Sequence, residues 1–136
     1  MGETLNSYRD IIRRINQKEI LIKELEKVNV KVNTGIGIKT SNNNSKVEDL
    51  AIKIAEEKEN WEQLRERSLK IYNVLFNNIY KLKNDTYKTL LILRYLKLQS
   101  WGEIANSLNY SKDYVRTKLH DEARREYEKI FGHIHQ

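Results

Sequence analysis

Between Glu3 and Val28 the apolar residues Leu5, Tyr8, Ile11, Ile12, Ile15, Ile22, Leu25 and Val28 recur at steps of mostly three and four. That is the period of an amphipathic helix, and Arg13, Arg14, Lys23, Glu24 and Lys27 occupy its other face. The pattern breaks over residues 29–45 (NVKVNTGIGIKTSNNNS), where glycines, asparagines and β-branched residues predict a flexible connection. Ser45, with Glu48 three residues on, forms a capping box that opens a second helix. Along it Val47, Leu50, Ile54, Glu57, Trp61, Leu64, Ser68, Ile71, Leu75, Asn78 and Leu82 alternate steps of three and four, a coiled-coil seam. The apolar members of the seam are Val47, Leu50, Ile54, Trp61, Leu64, Ile71, Leu75 and Leu82. A helix of roughly 55 Å cannot bury its own stripe, so it must pair with the first helix, with a second copy, or with both. Leu69, Tyr72, Phe76 and Ile79 widen the stripe toward its C-terminal end, which suits more than one neighbour and predicts an oligomer.

Three shorter helices follow. Asn84 or Asp85 caps one from Thr86 to about Leu98, Ser100 with Glu103 opens the next, and Ser111 caps the last, which runs to about Phe131. Ile104, Ala105 and Leu108 face Val115 and Leu119, with Leu90, Leu91 and Tyr95 bracing them. Ala105 is small where the two helices cross, and Asn109 stands where the turn needs a left-handed backbone, which asparagine tolerates well. The expected fold is all-α: a helical hairpin or coiled coil over residues 1–84, then a trihelical helix-turn-helix domain over residues 85–136.

Composition narrows the chemistry. The chain has 136 residues, no proline to interrupt long helices, and no cysteine, which excludes disulfides, thiolate metal sites and cysteine nucleophiles. No apolar run reaches membrane-spanning length and the N-terminus is not a signal peptide, so a soluble cytoplasmic protein is expected. The net charge of +6 suits an anionic partner, but it is spread thinly. Residues 1–45 carry eight Lys/Arg against five Asp/Glu, residues 46–84 eight against seven, and residues 85–136 nine against seven. Composition therefore allows nucleic-acid binding without demonstrating it.

The constellation with the most chemistry is Ser100–His120. Burying its apolar residues leaves Lys112, Asp113, Arg116, Thr117 and His120 on the outer face of the last helix, where its N-terminal end would enter a major groove. Arg116 can donate twice to guanine and Asp113 can accept from cytosine. Ser111, Tyr114 and Lys118, with Arg94 and Ser100 on the flank, suit phosphates, which position without specifying sequence. Beyond Asp121 the helix becomes charge-mixed (DEARREYEK) and should point away from DNA.

LILRY followed by SWGEIANSLNYSKDYVRTKLHDEAR resembles region 4 of sigma factors, the part that reads the upstream promoter element, over about residues 86–130. VRTKLHDEAR is most similar to the extracytoplasmic-function type. The layout of the whole chain more loosely resembles small phage late transcriptional regulators of the ArpU/RinA type. The sigma resemblance implies base reading at Lys112, Asp113 and Thr117. Gly102 replaces a usual acidic residue, Leu98 lies near a usual glycine and Asn109 replaces the turn glycine. Nothing resembles the sigma region that melts the promoter.

The expected function is a sequence-specific transcriptional regulator of double-stranded DNA, a phage or prophage late-gene activator in a bacterial cell, homo-oligomeric, with RNA polymerase as a further partner. Two alternatives stand beside it: a packaging protein like a terminase small subunit, and a sigma- or polymerase-interacting module that does not read DNA. No cofactor, metal or catalysis is expected. Gly35 and Gly37 lack the lysine spacing of a phosphate loop, and His133 and His135 lack a third ligand. Glu56, Glu57, Glu59 and Glu62 read as an ion-pair face beside Lys58 and Arg65. Trp61 reads as seam core, and Trp101 as packing against the bracing helix.

Overall fold

The structure, a computed structural model, describes residues 3–34 and 43–132. It is all-α, with no strand among the described residues. The helices are α1 (Ser7–Thr34), α2 (Asn43–Tyr80), α3 (Asp85–Leu91), α4 (Trp101–Leu108), α5 (Lys112–Tyr114) and α6 (His120–Phe131). A π turn, Ile92–Leu96, extends α3, and a second, Val115–Leu119, joins α5 to α6 without a break. The chain divides into two compact units, Ile11–Arg67 and residues 1–10 with 68–136.

In the Ile11–Arg67 unit α1 lies antiparallel to α2, fastened by Lys18–Glu57 at 2.6 Å and Glu26–Lys58 at 3.0 Å. Ile11, Ile15, Ile22, Ile54 and Leu64 are buried, and so is Val32 farther along α1. Val32 explains why α1 continues past Val28. It repeats the inward-facing period after Ile22 and Leu25, and burying it outweighs the weak helix propensity of Asn29 and Asn33. The expected connection over 29–45 is therefore helical at 29–34, and α2 begins at Asn43, two residues ahead of the expected Ser45 cap. Residues 35–42, with Gly35 and Gly37, lie outside the described residues.

The second unit is built around Leu75, Ile79, Leu90, Leu91, Ile104 and Val115, all fully buried. Asn84 caps α3, its side chain accepting from the Tyr87 amide at 3.1 Å. Tyr8 meets Tyr72 edge-on at 5.2 Å, Asn78 donates to the Tyr127 hydroxyl at 3.3 Å, and the Tyr87 hydroxyl donates to Glu122 at 3.2 Å. The predicted seam is largely consumed within one chain: Ile54 and Leu64 are buried in the first unit, Ile71, Leu75 and Leu82 in the second. Val47, Leu50 and Trp61 are half-buried. Of the residues that widen the stripe, Ile79 is fully buried and Tyr72 half-buried, but Leu69 and Phe76 remain 62% and 38% exposed.

Candidate nucleic-acid interface

Two caps set the ends of the short helices. Ser100 Oγ accepts from the Glu103 amide at 3.2 Å while Glu103 Oε1 accepts from the Ser100 amide at 2.8 Å, a complete capping box. Ser111 Oγ accepts from the Tyr114 amide at 3.1 Å. Between them α4 ends at Asn109, which is left-handed with φ 62° and ψ 41°, and the Tyr110 amide closes back on the Ala105 carbonyl at 3.1 Å. This closure is a Schellman motif, and it reverses the chain in three residues. Ile104 and Ala105 from α4 and Val115 and Leu119 from the next helix are buried, and Leu108 is half-buried.

The outer side of the α5 rod carries Lys112, Asp113, Arg116, Thr117 and Lys118, all exposed. Three of these are engaged locally. Arg116 pairs with Asp113 at 2.6 Å, Thr117 Oγ1 donates to the Asp113 carbonyl at 2.6 Å, and Lys118 stands 3.7 Å from Glu122. An exposed ion pair of this kind is worth about 0–1 kcal/mol, so the Asp113–Arg116 contact is cheap to exchange for another partner. Thr117 keeps its methyl group and its oxygen lone pairs for an outside contact. Tyr114 is half-buried, its ring 5.2 Å from that of Tyr110. Farther along, Arg124 bridges Asp121 at 3.0 Å and Glu128 at 2.8 Å, and Arg125 pairs with Asp121 at 3.0 Å. The mixed charges of α6 thus neutralise one another, and the free positive charge is confined to the first turns.

Two predicted contacts are placed differently. His120 is not on the outer face. Its ring stacks on Tyr95 at 5.8 Å, meets Trp101 edge-on at 4.7 Å, and Nε2 lies 2.6 Å from the Tyr95 hydroxyl. The π turn is the cause. The His120 amide reaches back to the Val115 carbonyl, five residues away, and this unwinding carries His120 toward the Val115 side. Burial, followed by Arg124 and Arg94, holds the His120 imidazole below its ordinary pKa. In the neutral ring Nε2 accepts the Tyr95 hydroxyl proton.

Arg94 is the second departure. Its guanidinium lies 4.0 Å from the centre of the Trp101 ring and donates to the Gln99 carbonyl at 3.1 Å, so it holds the segment between the π turn and α4. Its own carbonyl accepts from Arg9 at 3.2 Å. Burial and Arg9 depress the Arg94 pKa, which leaves it charged at any physiological pH. Trp101 packs between Arg94 and His120, in line with its expected packing role. The Arg9–Arg94–Trp101–His120–Tyr95 cluster had no sequence signal. Arg9 belongs to the amphipathic pattern of α1, and nothing in its spacing points 85 residues downstream.

Among the described residues no group of His, Cys, Asp or Glu is arranged to hold a metal, and His133 and His135 lie outside them. Glu57 of the acidic cluster is bound to Lys18, and Glu59 accepts from Gln63 at 3.4 Å. Trp61 lines a groove of about 350 Å³ with Ile22, Lys58 and Glu62, and Arg65 lies 5.0 Å from its ring. Among the described residues no helix is long and apolar enough to cross a membrane. Compared with protein-family models, with curated proteins and with solved structures, the chain shows no match.

Proposed function

We propose that this protein is a sequence-specific binder of double-stranded DNA that regulates transcription, reading the major groove with the helix that begins at Lys112. The supporting observation is the division of that helix. Val115, Leu119, Ala123 and Tyr127 are buried against the rest of the unit, while Lys112, Asp113, Arg116, Thr117 and Lys118 project outward from a helix capped and oriented by a tight turn. Arg116 reads guanine after exchanging Asp113 for the base. A bidentate guanine contact discriminates by about 1–3 kcal/mol, more than the exposed ion pair is worth. Thr117 offers its methyl group to thymine, Asp113 accepts from cytosine, and Lys112 reads a base edge. Ser111, Tyr114 and Lys118 meet phosphates; the Ser111 hydroxyl, already an acceptor in its cap, still has a proton to donate. Ser100 stands at the flank in the same way.

The resemblance to sigma region 4 and to phage late regulators supports a phage or prophage late-gene activator in the cytoplasm of a bacterial host. It binds DNA as a homo-oligomer and acts alongside RNA polymerase. A second reading, a module that contacts polymerase or sigma without reading DNA, is favoured by one observation: in the free protein Arg116 is already satisfied by Asp113. Titration of duplex DNA at several salt concentrations separates the two. Lys118→Ala should weaken every sequence alike and reduce the salt slope by about one, whereas Arg116→Ala should relax discrimination by about 1–3 kcal/mol. If both variants bind like the parent protein, the docking is wrong and the second reading takes its place.

A further inference from the structure

The hairpin uses the predicted seam of α2 internally, so a second copy needs a different surface. One stands on the C-terminal half of the same helix. Leu69, Asn73, Phe76 and Tyr80 follow one another at steps of four, three and four, the spacing of a second coiled-coil seam. All four are exposed, Leu69 and Tyr80 at 62%, and Phe76 stacks on Tyr80 at 5.8 Å. Large apolar side chains repeated on one helix face are what a partner helix covers.

We propose that a second copy of this chain docks antiparallel on the face formed by Leu69, Asn73, Phe76 and Tyr80. The seam is its own complement when reversed. An antiparallel two-fold sets Leu69 against Tyr80 of the partner and Asn73 against Phe76 of the partner, and the symmetry repeats each contact. Charge selects the direction. One turn earlier on the same helix stands Glu66, and just past its end stands Lys83; both are exposed, and neither forms an ion pair among the described residues. The antiparallel register opposes Glu66 to Lys83 of the partner, twice. A parallel pairing would instead oppose Glu66 to Glu66 and Lys83 to Lys83, like charges that exclude it. This inference supplies the surface for the homo-oligomer proposed above, and because association is measured without DNA, its failure and that of the DNA reading are distinguishable.

The test is sedimentation of the full chain over a range of concentrations. The parent protein should show reversible dimerisation, and Leu69→Glu should weaken it at least about tenfold. Leu69 is exposed, so the variant keeps its fold, which circular dichroism confirms. Glu66→Lys and Lys83→Glu should each weaken the dimer when alone, because each sets like charges opposite. Mixed together, the two variants should restore it as a heterodimer with two attractive pairs. A monomer at every concentration, a dimer indifferent to Leu69→Glu, or no recovery on mixing would overturn the proposal.

Discussion

At the scale of single residues, the His120 imidazole ties the two π turns together through Tyr95. In the unfolded chain the ring takes up a proton near the ordinary value of about 6.5, and in the folded protein only at lower pH. Between those two values the unfolded chain binds more protons, so stability is complete above the ordinary value and falls as pH drops toward the folded one. Denaturant titrations below pH 6.5 should show this loss in the parent protein and a smaller one in His120→Phe. An equal acid loss in the variant would assign the effect to other groups. Asn109 makes a second prediction at this scale. Asn109→Gly should be neutral or slightly stabilising, and Asn109→Val should cost about 1–2 kcal/mol, because only the former accepts φ 62° without strain. Thermal unfolding of the two variants measures the difference. The sequence pointed to Asn109 through its residue type alone. It also marked Leu98, near a position where the resemblance has glycine, and the backbone there is left-handed as well, with φ 58°.

At the scale of elements, the signals that proved legible are those carried by short-range chemistry. The Ser100–Glu103 box and the Ser111 cap are written in side chains that can reach only their own helix starts, so residue type and spacing suffice to place them. Ser100→Ala should therefore cost about 1 kcal/mol in chemical denaturation, while Ser100→Asp, which can still cap, should cost less. The end of α1 and the start of α2 were misread because propensity is a weak guide where a tertiary contact competes, as at Val32. The π turns escaped for a different reason. A uniform period of 3.6 keeps His120 beside Arg116, and only the register shift of one residue within Val115–Leu119 turns it inward. The core positions Val115, Leu119, Ala123 and Tyr127, spaced by four throughout, are the trace of that shift in the sequence. Four-residue spacing drifts around an ideal α-helix, and one wider turn takes up part of the drift.

At the scale of the whole molecule, the modest positive charge bears directly on mechanism. Free cationic groups are confined to the start of one helix, since α6 neutralises its own charges. A single such module makes few phosphate contacts, and specific sites are ordinarily reached by pairing two. The hairpin and the exposed face of α2 therefore belong to the DNA-binding account as much as the capped helix does. The amphipathic pattern foretold the helices but not their partners, because burial in a hairpin and burial in an oligomer leave the same periodicity. The most direct test of the central claim is selection of duplexes from a randomised double-stranded pool by the full-length protein, in parallel with Arg116→Ala. The account predicts that the parent protein enriches one recurring motif containing a guanine, and that the variant loses selectivity at that guanine while retaining the rest. Enrichment of no motif, or of the same motif with undiminished guanine preference, would contradict it.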